Sequence, residues 1–402
     1  MKILQISHRV PWPLNEGGTI GIYNYTRGYA EAGHDVTLLA LDGKKHATNR
    51  PEAEAELEKY ARVTIVPIDT DVKPLQALMN LFSSKSYNVE RFYDKGFEKL
   101  IRDTLNKETF DVIQVEGTFA APYTEVVLQH KKEALLVLRQ HNVEFQIWDR
   151  LAANEKNPVK KWYLRLLAKR LKQFEKNHLN PYDLIVPVTA DDGKLFKSLG
   201  CTSEIVDAPA GIDTNRWKPS ATLDLNQCYH LGSLEWMPNQ EAMEWFLKDI
   251  WPLIHAQYPA MIFSLAGKNM PEVFKKLNIS GVRVESYVED ATAYIADKGI
   301  NIVPLKSGSG IRLKILEAMS AGKLVISTTI GAQGIHSIDG KHLLIADTPE
   351  QFLEKMKWVQ ENPDKAQDMM HQARILIETE YSNHSVIERL LAHFQRLLAQ
   401  KK

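Results

Sequence analysis

Along nearly the whole chain, short continuous apolar runs alternate with longer stretches in which apolar residues recur every three or four positions. A short run bounded by turn residues suits a strand buried on both faces, and the three-to-four spacing suits an amphipathic helix. In the first half the pattern predicts strands at Lys2–Ser7, Asp35–Leu41, Val63–Pro67, Asp111–Val115, Leu135–Arg139 and Leu184–Val188, with a helix over Thr19–Ala32 stopped by Gly33. After residue 215 it predicts strands at Tyr229–Gly232, Met261–Ala266, Val282–Glu285, Ile300–Pro304 and Leu324–Ser327. The expectation is an α/β protein made of two doubly wound, Rossmann-like halves, each a parallel sheet with helices on both faces.

The pattern breaks in DAPAGIDTNRWKPS, Asp207–Ser220, where Pro, Gly, Asp and Asn cluster. This divides the chain into a first domain over 1–206, a linker over 207–220 and a second domain over 221–380. The tail from Asp364 reads as two or three helices, the last of them, over 381–402, packing back across the molecule. A length of 402 residues is ample for two cores. Fifty basic residues balance fifty acidic ones, so no global field recruits nucleic acid and an anionic partner must be caught by a local patch. Cys201 and Cys228 are the only cysteines, which excludes a disulfide scaffold and a cysteine zinc site. The start MKILQISHRVPWP lacks a signal-peptide apolar region, and no apolar run approaches the ~20 residues of a membrane span, so a cytoplasmic protein is expected, at most peripheral to the inner face of a membrane.

Three segments carry candidate chemistry. In NEGGTIG, Gly17 and Gly18 stand at a helix start, where bare backbone N–H groups and the helix dipole suit a phosphate. A loop that simply needs glycine is the other reading, and the nine residues between Ser7 and Gly17 exclude a dinucleotide fingerprint. In LLVLRQHNVE, a buried strand delivers His141 and Asn142 at its carboxyl end, either to hydrogen-bond a sugar hydroxyl or an oxyanion, or as a structural cap of the strand. His130, His178 and His255 lie in helical or polar contexts that predict solvated roles. The most specific segment is VPLKSGSGIRLKILEAMSAGK: Gly308, Ser309 and Gly310 open a helix, Ile311 follows, and Arg312, Lys314 and Glu317 lie in the first turns. Two cations at a helix start suit a diphosphate, and a carboxylate further along suits the paired hydroxyls of a ribose.

These segments, together with AGIDTNRWKP at the junction and GSLEWMPNQEA after it, resemble glycosyltransferase family 4 over nearly the whole chain. The resemblance implies a GT-B fold and a retaining, metal-independent transfer of sugar from a nucleotide-sugar, with no cofactor, in a cleft between the domains. It also implies that Gly17 and Gly18 lie near donor phosphates and acceptor, that His141 is beside the reacting sugar, and that Gly232, Ser233 and Trp236 are on the donor side, with Asn239 nearby. Arg312 and Lys314 would meet the diphosphate, and Glu317 the ribose. Two features depart from the family pattern. Many members carry a second glutamate eight positions before the one matched by Glu317, where this chain has Ser309. The Arg and Lys pair common after the first strand of the second domain is replaced by Ser233, Trp236 and their neighbours. Two other activities remain open at this level: a GT-B nucleotide-sugar epimerase, and a catalytically silent sugar-nucleotide-binding protein.

A fourth segment, Asn157–Leu179, places Tyr163, Leu167, Leu171, Phe174 and Leu179 at helical spacing beside Lys160, Lys161, Arg165, Lys169, Arg170, Lys172 and Lys176. One reading is contact with an anionic membrane or a lipid-linked acceptor. The other, commoner for charge runs, is a core stripe with a solvated basic face. Asp69 and Asp71 form a D-x-D without further ligands, so no metal site is expected.

Overall fold

In the computed structural model, residues 1–14, 17–43, 49–220, 223–307 and 310–401 are described. Strands β1 (Lys2–Ser7), β2 (Asp35–Gly43), β3 (Arg62–Ile68), β4 (Val112–Glu116), β5 (Leu135–Gln140), β6 (Leu184–Pro187) and β7 (Glu204–Ile205) form a parallel sheet in the order β3-β2-β1-β4-β5-β6-β7. Strands β8 (Asp224–Leu231), β9 (Ile262–Ala266), β10 (Val282–Glu285), β11 (Lys298–Val303), β12 (Leu324–Ser327) and β13 (Leu344–Ile345) form a second, in the order β10-β9-β8-β11-β12-β13. In each sheet the chain runs from a central strand to one edge and returns to continue on the other side. The switch points fall between β1 and β4 and between β8 and β11, and ligands of open α/β sheets gather at the strand carboxyl ends there.

The expected strands all occur, with ends moved by a few residues. β8 starts five residues earlier than its pattern suggests, because Asp224 pairs with Lys298 of β11 although its own surroundings are polar. β7 and β13, two residues each, have no periodic signal to read.

Two compact units result: Met1–Gly211 with Val386–Lys402, and Ile212–Ser385. In the first, β4 and β5 are buried along their whole length, as a central parallel strand must be. Helix α1 (Gly17–Glu31) packs Tyr25 and Tyr29 into one cluster with Ile3, Val112 and Leu135. The last helix supplies Val386, Ile387, Leu390, Leu391 and Phe394 to that cluster, and Lys401 Nζ donates to Asp183 at 2.7 Å. In the second unit one continuous core, including Phe246, Trp251, Phe263, Ile302 and Ile326, covers both faces of the sheet. Cys201 and Cys228 are buried free thiols.

Candidate functional site

The switch point of the first sheet holds a pocket of about 240 Å³ lined by His8, Arg9, Gly17, Gly18, His141 and Glu144, among others. Beneath it lies a polar layer inside an otherwise apolar sheet. Gln5 pairs in register with Gln114, and Glu116 with Arg139, so these four side chains emerge on one face, under α1. Glu116 is fully buried. Its Oε1 accepts from Gln5 Nε2 (3.1 Å) and Gln114 Nε2 (2.6 Å), and its Oε2 from Arg139 Nη1 (3.2 Å) and His141 Nε2 (3.0 Å). Burial opposes the charge, but the Arg139 guanidinium and the hydrogen bonds from His141 and Gln114 outweigh it and hold the carboxyl down at about 2. Helix α1 completes the layer: Thr26 donates to Gln5, Tyr29 to Gln114, and Arg139 lies 3.8 Å from the Tyr25 ring centroid.

This layer determines the state of both histidines at the pocket floor. Arg139 Nη1 can only donate, so His141 Nδ1, 3.3 Å away, accepts and His141 carries its proton on Nε2, toward Glu116. Arg9 Nε donates to His8 Nε2 at 3.1 Å, which leaves His8 Nδ1 to donate to the Glu116 carbonyl at 2.9 Å. Burial and the neighbouring arginine lower the pKa of each ring, so both are neutral near pH 7. His141 therefore stands where its motif predicts, directly after β5 and lining the pocket, but both of its ring nitrogens are engaged by protein groups, Arg139 and Glu116. The hydrogen bond to a sugar expected from the sequence would require one of these contacts to open. Gly117 lets the ring sit there: its φ is +79°, and a Cβ would lie 3.1 Å from His141 Cδ2.

The helix that follows, α2 (Glu144–Asn154), is capped by a carboxylate. Glu175, from α3 (Pro158–Asn177), accepts from the backbone N–H of Phe145 (2.9 Å), the N–H of Glu144 (3.1 Å) and the Thr118 hydroxyl (2.9 Å). Burial still pushes its carboxyl up to about 7, against those donors. That helix start is therefore occupied by the protein itself.

At the second switch point the cations come together. Helix α4 (Leu313–Ser320) begins one residue after Arg312, so Arg312 stands at its cap rather than in its first turn. Lys314 Nζ donates to Asn239 Oδ1 (2.9 Å) and to His230 Nε2 (3.2 Å), whose Nδ1 donates to the Ile302 carbonyl (2.8 Å). Asn239 also donates to the Ser233 carbonyl at 2.7 Å, tying the loop after β8 to the lysine. Lys314 passes directly over Gly232, where a Cβ would lie 2.5 Å from its Nζ. Lys314 and Glu317 keep partial access to solvent inside dense surroundings. Burial, then Arg312, lowers Lys314 to about 7, while burial raises Glu317 to about 7 against Arg216 and Lys314. Arg312 bonds the Gly310 carbonyl and lies 5.5 Å from the ring centroid of the exposed Trp236. Ile311 packs on the core. Gly308 and Ser309 lie outside the described residues.

The structure thus gathers Gly17, Gly18 and His141 in one unit, and Gly232, Ser233, Trp236, Arg312, Lys314 and Glu317 in the other. Sequence reasoning missed His8, Glu116, Arg139 and His230. Their signal was present as polar residues inside buried strands, in HLG, VIQVE and LLVLRQ, or immediately after one, in KILQISH. The histidines expected to be solvated are partly buried instead: His130 and His178 bond carbonyls one turn back, and His255 stacks on Trp251. Among the described residues no cluster of His, Cys, Asp and Glu could hold a metal ion.

A pocket at the switch point of the first sheet and a pair of cations at that of the second are where open α/β sheets gather ligands, and similarity to known proteins gives the class. Residues 16–216, half of the chain, match the family described as Glycosyltransferase Family 4, and residues 226–362 match that described as Glycosyl transferases group 1. The chain belongs to glycosyltransferase family 4. It is similar to a 44.6 kDa protein of the cps region of Klebsiella pneumoniae, with 25% identity over 96% of this chain and 97% of the relative. Its fold is shared by Anabaena HepE solved with UDP, at TM-score 0.67 and 12% identity over 98% of this chain and 100% of that one. Sucrose-phosphate synthase of Thermosynechococcus elongatus shares it at TM-score 0.69 and 13% identity over 100% of both chains. The pneumococcal O-GlcNAc transferase GtfA, solved with UDP and GlcNAc, shares it at TM-score 0.65 and 11% identity over 99% of both. The fold is GT-B.

Proposed function

We propose that the protein transfers a sugar from a nucleoside diphosphate sugar to a hydroxyl group of a glycan, a lipid-linked glycan or a small molecule, with retention of configuration and without a metal ion. The observation that carries this reading is the cation pair at the second switch point: Lys314 lies over Gly232 at the end of β8, close enough to Arg312 at the cap of α4 for the two charges to interact, with Glu317 one turn further along. In the reaction the bond from the sugar to the diphosphate breaks, its electron pair stays on the phosphate oxygen, and the acceptor oxygen takes its place on the same face of the sugar, giving up its proton to the departing diphosphate. Arg312 and Lys314 supply the positive charge that the departing diphosphate needs, which a divalent ion supplies in other transferases. Glu317 accepts from the ribose hydroxyls. In the first unit the polar layer holds His141 rigid at the floor of its own pocket, and a contact of that ring with the reacting sugar is part of the proposal. UDP is the first nucleotide to test, since HepE and GtfA were solved with it.

The test is a thermal-shift screen of UDP-, GDP-, ADP- and dTDP-sugars, followed by transfer and hydrolysis assays with chelator present. A nucleotide at 100 times its dissociation constant stabilises by about 2.7 kcal/mol. Arg312→Ala and Lys314→Ala should each weaken diphosphate binding by about 1.5–3 kcal/mol, as loss of a hydrogen bond to a charged group does. Unchanged affinity in the double variant would remove the donor site from this cation pair, and strict dependence on a divalent ion would remove the metal-free mechanism. Donor turnover without acceptor would point to an epimerase, and binding with neither transfer nor hydrolysis to a silent binding protein.

A further inference from the structure

In the first unit, an apolar row and a basic row run side by side on the surface. The short helix Pro74–Asn80 presents Leu75, Leu78 and Met79, spaced i, i+3 and i+4, to solvent rather than to the core, and Phe82 beyond it is 92% exposed. From Val72 to Val89 the sequence contains no carboxylate. This segment is fastened along one flank of α3. Arg170 donates to the Asn80 carbonyl (2.9 Å), to Asn80 Oδ1 (2.8 Å) and to the Leu81 carbonyl (3.1 Å). One end further up, Tyr163 is an electrostatic neighbour of Tyr87, whose hydroxyl accepts from the Lys73 N–H at 2.9 Å. Tyr163 and Arg170 are seven residues apart, about 10 Å along a helix, so the apolar segment lies alongside α3.

On α3 itself, Trp162, Arg165, Lys169 and Lys176 fall within about 60° of arc at 100° per residue, on the side away from the buried Leu167 and Leu171. Trp162 is 58% exposed. Arg165, Lys169 and Lys176 enter no ion pair among the described residues, and the helix's single acid, Glu175, is buried. An exposed apolar row whose one neighbouring carboxylate, Glu90 beside Asn80, is paired with Lys85, and which is flanked by unpaired cations and a tryptophan, matches the surface of an anionic bilayer, where acyl chains take the apolar residues and headgroups the cations. A soluble acidic protein would offer the charge, but an apolar row this exposed would then need its own complementary groove. Among the described residues no helix is long and apolar enough to cross a membrane, so the contact is with the surface.

We infer that this face, formed by Leu75, Leu78, Met79, Phe82 and the Trp162–Lys176 stripe, docks on an anionic membrane surface. The inference is independent of the donor assignment. It is tested by sedimenting the full-length protein with phosphatidylcholine vesicles, with and without 30 mol% phosphatidylglycerol. Wild-type protein should sediment only with the anionic vesicles at about 0.05 M salt, and progressively less as salt shortens the Debye length. Replacing Arg165, Lys169 and Lys176 with Gln should lower the partition about a hundredfold, from roughly fivefold per cation. Leu78→Ser with Phe82→Ser, which leaves every charge in place, should abolish whatever binding survives at high salt. All five positions are exposed, so melting temperatures and the UDP-induced thermal shift should match wild type, separating this result from any failure of the donor reading. Equal sedimentation with neutral vesicles, no sedimentation of wild type, or unchanged partition in both variants would overturn it. So would self-association of wild type in solution that the Leu78 and Phe82 changes remove, since a second copy would then cover the face.

Discussion

Glu116 illustrates how one side chain governs a pocket it does not line, through its hydrogen bonds to residues that do. Its carboxylate balances a buried guanidinium and fixes the proton on His141, so Glu116→Gln leaves Arg139 charged and uncompensated. This should cost about 3–5 kcal/mol in urea or thermal unfolding. A Glu116→Leu, Arg139→Met double variant should recover a good part of that loss, and the coupling is read directly from a double-mutant cycle. Because the pKa of His141 lies below the ordinary 6.5, its ring is neutral from pH 7 upward. Under the proposed activity His141→Ala should lower kcat by about 10²–10⁴, equally at pH 7 and 9, with diphosphate affinity within a few fold. A folded variant with normal turnover would assign His141 a purely structural role. Lys314 gives the opposite pH signature. With its pKa near 7 it is mostly neutral at pH 8, and a bound diphosphate restores the charge, so binding should take up a proton and weaken as pH rises above 7. Calorimetry in buffers of different ionisation enthalpy at pH 8 should show uptake approaching one proton for wild type and much less for Lys314→Met. His141 and Lys314 were legible as candidates because each sits in a loop or helix start that follows a strand. Their partners were not, since a lone Gln, Glu or Arg inside an apolar run reads as an imperfection until register shows that four of them share a face.

At the scale of elements, the packing of one helix on the start of another produces a second pH-dependent contribution. Glu175 belongs to α3 but serves as the cap of α2, and its pKa rises from about 4.5 unfolded to about 7 folded. The folded state then holds the proton more tightly, so this group's contribution to stability is full below pH 4.5 and declines as pH rises through 7, by about 3 kcal/mol in all. Glu175→Gln should remove that decline: the gap in melting temperature between wild type and variant at pH 5.5 should change in the variant's favour by pH 8. A gap that stays constant across that range would show that Glu175 is charged throughout. The basic face of α3 was evident from spacing alone, whereas its capping role was not, because Glu175 and the α2 backbone it serves are some thirty residues apart. Element ends were readable to within a few residues wherever apolar runs were continuous. They failed at the start of β8, where pairing with β11 rather than local pattern extends the strand.

For the molecule as a whole, the chain leaves its first unit at Gly211 and returns to it at Val386. The returning segment is part of that unit's core: Val386, Ile387, Leu390, Leu391 and Phe394 are almost completely buried. Burying five such side chains contributes up to about 7–15 kcal/mol, comparable with the stability of an entire domain. Ending the chain after Ser385 should therefore unfold the first unit, seen as loss of its thermal transition and exposure of hydrophobic surface. A truncated protein with two intact transitions would show that the helix only decorates it. Apolar periodicity by itself determined two doubly wound α/β halves and every strand but the two-residue edges β7 and β13, because burial on both faces leaves a period that needs no partner to be seen. Glycine and charge at the starts of α1 and α4 likewise marked where phosphate chemistry could occur, since free backbone donors and cations are local properties. What only the tertiary structure decided is which residues answer one another across the sheet: the Glu116 and Arg139 layer under His141, the hold of His230 and Asn239 on Lys314, and the apolar row beside the basic stripe of α3. Those depend on register and on contacts between residues far apart in the chain, and a hydrogen bond or a shifted pKa exists only once both partners have been brought to the same place.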